Sequence, residues 1–242
     1  MKSLFFASRT AKEILRDPLN LGFGLGFPLV LLLLLSAIQA NIPVPLFEIE
    51  TLTPGITVFG LSFMTLFSAT LVARDRESAF LERLYTTPLT ASDFILGYLL
   101  PCLPIALLQS VICYGAALLL GLASSIRILY ALILLIPASL FFIALGLLCG
   151  SIFSVKQVGG LCGALLTNLC AWFSGAWFDL DLVGGAFRGI ANALPFVHAV
   201  KLERAVLAAS PAFSAADLYW VLGYAGITLL CAILLFLKQM RK

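Results

Sequence analysis

Six long apolar runs, none with a charged residue near its middle, constrain this chain more than any other feature. They are Leu19–Ala40, Pro54–Ala73, Phe94–Leu120, Ile128–Gly150, Val158–Phe178 and Asp217–Leu237. A helix needs about 20 apolar residues to cross a hydrocarbon layer about 30 Å thick. Inside that layer the backbone finds no water, so each run must close its own hydrogen bonds as helix. A transmembrane barrel would instead show short alternating segments. The expectation is an all-α integral membrane protein, with six spans forming a single domain over residues 1–242. Composition agrees: 62% of the chain is hydrophobic and 11% is charged, whereas soluble domains carry roughly a quarter charged residues.

Orientation follows from Lys and Arg, which accumulate on the cytoplasmic side. With both termini inside, eleven of the fifteen basic residues fall on inner segments and four (Arg127, Arg188, Lys201, Arg204) on outer ones. Both termini are therefore expected in the cytoplasm and the protein in the cell membrane. The first run is too long for a signal peptide core and lacks a small-residue cleavage site, so it reads as a retained span. Ahead of it, Ser3–Arg16 reads as an amphipathic helix lying in the membrane interface. Leu4, Ala7, Ala11, Ile14 and Leu15 form its apolar stripe, opposite Arg9, Lys12, Glu13 and Arg16.

Between the second and third runs lies RDRESAFLERLYTTPLTASD, residues 74–93. Arg74, Asp75 and Arg76 stop insertion. Phe80, Leu81, Leu84 and Tyr85 share one face of a short helix over 78–85, flanked by Glu77, Glu82 and Arg83. Thr87-Pro88 ends it, and Thr90 with Asp93 forms a capping box that opens the third span. Such a helix either lies on lipid or docks into a groove on a cytosolic partner, and its composition divides these readings evenly.

Glu77, Leu81-Glu82-Arg83-Leu84 and Thr87-Pro88-Leu89 resemble the R-E-x-G-T-L-E-R-L-x-x-T-P-L signature of ABC-2-type transporter permeases. Pro54-Gly55-Ile56 and the six-span plan are also similar to that family, with Tyr98 after Gly97 where the family commonly has Lys. The resemblance implies the permease subunit of an ATP-driven ABC exporter. It would work as a homo- or heterodimer and couple to a separate ATP-binding subunit through Glu77, Phe80, Leu81, Glu82, Arg83, Leu84 and Pro88. ATP and Mg would belong to that partner; this chain has no G-x-x-x-x-G-K-[ST] loop and no cofactor of its own is expected. The alternative is a membrane scaffold that recruits a cytosolic protein through the 78–85 helix without transporting anything.

About 38 residues separate the last two runs, too many for a hairpin and too polar for two more spans. Helices are expected over 186–194 and 197–209, divided by Pro195, with Ser214 and Asp217 capping the last span. In the family this region forms re-entrant helices near the outer mouth, which implies an external gate. His198 lacks nearby ligand-spaced Cys, Asp or Glu and reads as structural. The six cysteines show no C-x-x-C spacing and read as small buried residues. Gly22 and Gly26 fit close helix packing. Ser62, Thr65, Ser68, Gln109, Thr167 and Asn168 place polar groups within the spans. They are either interhelical glue or, for Ser62, Thr65, Gln109, Thr167 and Asn168, a path for amphipathic or hydrophobic cargo. Proton-driven carriers usually keep an ionisable group inside the membrane; its absence from the span centres weakens that class. Membrane enzymes are weakened likewise, for want of paired catalytic groups.

Overall fold

Hydrogen-bonded helix takes up every apolar run, and among the described residues there is no strand. The computed structural model describes residues 2–78, 80–86, 89–208 and 214–240. An N-terminal helix, α1 (Lys2–Leu15), precedes α2 (Pro18–Gln39), α3 (Ile49–Glu77), the short α4 (Phe80–Tyr85), α5 (Ala91–Leu119) and α6 (Arg127–Ile152). After α7 (Val155–Val158) come a π-helix (Gly159–Leu166) and α8 (Thr167–Phe173). A 3₁₀ turn (Leu180–Leu182), α9 (Gly185–Ala193), α10 (Pro195–Leu207) and α11 (Ala215–Met240) complete the chain.

Five helices, α2, α3, α5, α6 and α11, are each long and apolar enough to cross a membrane. The predicted fifth run is helix from Val155 to Phe173, in three pieces. Its middle loosens into a π-helix in which the Thr167 hydroxyl reaches the carbonyl of Cys162, five residues back, at 3.0 Å. It stops short of Phe178, because Gly175 takes a positive φ of 69° and turns the chain. Asp17 caps α2 by accepting from the N–H of Asn20, and Thr90 with Asp93 forms the predicted capping box on α5.

Helix α3 is the axis of the bundle, buried along most of its length against α2, α5, α6 and α10. At about 1.5 Å per residue it is roughly 44 Å long, more than the hydrocarbon layer requires. Its last turn, Arg74 to Glu77, therefore stands clear of the lipid-length core. The closest approach is to α6. A Cβ at Gly146 would come within 2.4 Å of the Thr65 carbonyl, and one at Gly150 within 2.4 Å of the Ala69 carbonyl. Thr65 and Ser68 then donate across this seam to the α6 carbonyls of Phe142 (2.8 Å) and Ile143 (3.1 Å). The small-residue contact expected at Gly22 and Gly26 is not made among the described residues, since a Cβ at either meets nothing within 4 Å. The pair that lets two backbones touch is Gly146 and Gly150, spaced four apart on α6.

The apolar stripe of α1 also differs from the expected one. Phe6, Ala7 and Ile14 are buried together with Thr10, while Leu4 and Leu15 are exposed. The helix has a third side because it rests on protein as well as on lipid and water.

Gly146→Ala should destabilise the fold by about 1–3 kcal/mol, because the Ser68 hydroxyl, itself bonded across the seam, and the Thr65 backbone block the added methyl. Gly26→Ala should be neutral or slightly stabilising, since a helical Gly costs about 0.5–1 kcal/mol relative to Ala. Thermal unfolding of the two variants side by side in detergent checks both signs.

Candidate functional site

Four consecutive residues at the end of α3, Arg74-Asp75-Arg76-Glu77, each hold a different part of the chain. Arg74 Nη1 lies 3.0 Å from Asp17 Oδ2, at the junction of α1 and α2. Asp75, 2% exposed, accepts from Arg9 Nη2 at 2.7 Å and Nη1 at 2.5 Å, and from the Tyr98 hydroxyl of α5 at 2.6 Å. Arg76 donates to the carbonyls of Ser151 and of Phe153 (2.6 Å), two of the acceptors that the end of α6 leaves open. Gln239 of α11 reaches the same Ser151 carbonyl at 2.8 Å. Glu77 Oε1 accepts the N–H of Val155 at 2.9 Å, placing a carboxylate at the N-terminus of α7. Sequence reasoning saw in the first three of these charges only a stop to insertion.

The carboxylate of Asp75 is the centre of this clasp. A buried carboxylate costs several kcal/mol unless its oxygens are filled, and here a two-pronged guanidinium and a phenol fill them. Arg9 also pairs with Glu13 at 2.9 Å and lies over the Phe80 ring, 4.2 Å from its centroid. Burial works against the charge on Arg9, but its bonds to Asp75 raise its pKa nonetheless. Burial raises Glu13, with a further push from the negative charge of Asp75. Burial would also raise Asp17, but bonds from Asn20 and Arg74 outweigh it and hold the carboxyl below its ordinary value. Phe6 packs edge-on to Tyr98 and Phe94, into a notch that exists because residue 97 is Gly: a Cβ there would sit 1.9 Å from the Phe6 ring.

This arrangement corrects the expected role of the α4 face. Leu81 is 1% exposed, and Phe80 is stacked on Phe6 at 6.5 Å. Both side chains secure α4 to α1 and the bundle, so neither is free to enter a partner's groove. The physical reason is α1, whose buried side supplies the apolar surface that α4 covers. Arg83 is exposed, and Glu77 is exposed yet engaged with α7. The side chains of Glu82 and Leu84, and Pro88 altogether, lie outside the described residues.

At the opposite end of α3, α10 is sunk among α3, α6, α8, α9 and α11. Pro195 is its first residue, as the predicted break implied. Arg204 donates to the carbonyls of Thr51 (3.0 Å) and Gly175 (2.9 Å), tying the start of α3 to the turn after α8. A cavity of about 130 Å³ beside it is lined by Asp179, Asp181, Arg188, Asn192, Lys201 and Arg204, among others. His198 is structural but not isolated. Its Nδ1 meets Asp217 Oδ1 at 2.5 Å, its Nε2 meets the Asn192 carbonyl at 2.9 Å, and its ring stacks on Trp220. Asp217 lies in the first turn of α11 and gives this oxygen to His198. Glu203 is 1% exposed and was missed by the sequence reading, because it lies in a polar segment rather than in an apolar run.

The sequence profile of the ABC-2 type transporter family matches residues 4–208. The chain belongs to that family. It is also 35% identical over 135 residues to a protein of Porphyra purpurea named as a transport permease, ycf38. That match takes in 51% of this chain and 46% of the relative, so the chain spans about half the length of the curated relative it matches. A multi-pass membrane permease is the role these findings give the chain.

Within this ABC-2 chain the polar span residues separate into two groups. Ser62, Thr65 and Gln109 are fully buried. Ser62 donates to Phe59 O, Thr65 to Phe142 O, and Gln109 Nε2 lies 3.4 Å from Cys113 Sγ. Thr65, with Ser68, is interhelical glue. Thr167 is buried and serves the π-turn. Asn168 alone of the five expected path residues is exposed, on the side of α8 that also shows Trp172.

Asp75→Asn keeps the shape but removes the charge that Arg9 faces. It should lower stability by about 2 kcal/mol, discounted from the fully buried case because Arg9 is partly exposed. Arg9→Gln should cost a similar amount, and the double variant less than the sum. Thermal or denaturant unfolding of the three variants reads this out.

Proposed function

We propose that this chain is the membrane subunit of an ATP-driven exporter, working as a dimer with a separate ATP-binding subunit seated against the α4 end. On this reading the six runs are six spans, both termini are cytoplasmic in the cell membrane, and ATP and Mg stay with the partner. The supporting observation is the four-residue clasp at the end of α3. A push on α4 passes through Leu81 and Phe80 to α1, and through Asp75 and its neighbours to α2, α5, α6 and α7. The lever is therefore α4 and α1 together rather than a bare helical handle. The partner meets the outward side of α4, which carries the exposed Arg83. The side facing the bundle transmits the movement.

Cargo follows the exposed face at Asn168, where a polar amide lies beside apolar surface. This favours an amphipathic molecule passing between two copies of the chain. Thr65 stays sealed unless α3 and α6 part.

Co-expression with an ATPase from a neighbouring reading frame tests this reading. Arg83→Glu should weaken copurification with the ATPase. Asp75→Asn should leave copurification intact but remove the response of ATP hydrolysis to cargo. Normal assembly in the first variant and full coupling in the second would contradict the proposal.

A further inference from the structure

Among the described residues Glu203 is a buried carboxyl without a cation. Its Oε2 accepts from the Tyr114 hydroxyl of α5 at 2.6 Å, and among the described residues its Oε1 has no partner. The charged groups on the elements around it are committed elsewhere. Arg204, the next residue, turns to the carbonyls of Thr51 and Gly175, and Lys201 bonds Asn192 Oδ1. Arg127 of α6 bonds Leu207 O, Arg188 of α9 pairs with Asp181, and Asp217 of α11 pairs with His198. Glu50 of α3 is exposed, α8 carries no charge, and Cys113 beside Tyr114 on α5 is an apolar neighbour. An ionised carboxylate in this setting would cost several kcal/mol with one hydrogen bond to offset it. A neutral acid in the same place keeps the Tyr114 bond and leaves one hydroxyl without a partner among the described residues, a smaller cost than an unpaired charge. An ionisable group carried inside a membrane bundle is a candidate functional site by default, and proton relay is one of its recurrent uses.

We propose that Glu203 is a proton-binding site, which takes up a proton when α10 seats against α5 and releases it when α10 moves away. The seated arrangement binds the proton more tightly than the open one. It is therefore favoured as pH falls and loses that support as pH rises through the range where the seated acid ionises. A span-by-span search for charge cannot find this site, because Glu203 is carried into the bundle by a helix that is not a span. The inference does not depend on which protein supplies ATP.

Infrared spectroscopy of the full chain in phospholipid nanodiscs tests it. At neutral pH the wild type should show the C=O stretch of a protonated carboxyl, and Glu203→Gln should lose that band. Tyr114→Phe keeps the acid and removes its hydrogen bond, so the band should shift to higher frequency; this serves even if the Gln variant does not fold. Raising the pH on the wild type should bleach the band reversibly. The absence of a protonated band at neutral pH, or a band unchanged in both variants, would overturn the proposal.

Discussion

The bidentate bond between Arg9 and Asp75, completed by the hydroxyl of Tyr98, is the interaction on which one end of this molecule depends. Without it α1 would be held to the bundle mainly by its buried side, Phe6, Ala7, Thr10 and Ile14. With it, α1, α3 and α5 meet at one carboxylate, and α4 is trapped between α1 and the bundle by Phe80 and Leu81. The neighbouring charges extend the grip to the ends of α2, α6 and α7. Buried charge pairs add little net stability against apolar packing, but breaking one is costly. Their effect here is to fix the register of α1 against α3 and α5.

The two ends of α3 are held differently. At the α4 end Arg74 and Asp75 pair with Asp17 and Arg9, while Arg76 and Glu77 bond backbone groups. At the α10 end Arg204 satisfies backbone carbonyls, and among the described residues Glu203 is buried without a cation. The first arrangement joins ionised groups to partners. The second contains a group whose protonation state changes the cost of burial. Between them the α3–α6 seam, with Gly146 and Gly150 against carbonyls, leaves no slack for the helices to slide independently.

Much of this was legible in the sequence, for physical reasons. Apolar runs of membrane length can only be helix, so six spans were expected from composition and spacing, and five of the six runs are single helices long and apolar enough to cross a membrane. The box at Thr90 and Asp93 and the start of α10 at Pro195 depend on local chemistry and were found in place. What failed depended on long-range pairing. The stripe on α1 was assigned to Leu4, Ala7, Ala11, Ile14 and Leu15; Ala7 and Ile14 are buried but Leu4 and Leu15 are not, and Phe6 was passed over because nothing local shows that it has a notch waiting at Gly97. The α4 face looked free because its cover, α1, is more than 60 residues away. The π-turn in the fifth run has no period of its own in the pattern. Glu203 and Tyr114 lie 89 residues apart and meet only in the folded chain. Asp75 did leave a trace: an acid between two arginines at a span end is a poor stop signal and a good candidate for an internal partner.

Hydrogen exchange measured by mass spectrometry on Asp75→Asn tests the central claim most directly. If the carboxylate unites this end of the molecule, amides of α1, α4 and the start of α7 should lose protection together, while those of α10 stay as in the wild type. A change confined to the last turn of α3, or none at all, would contradict the account.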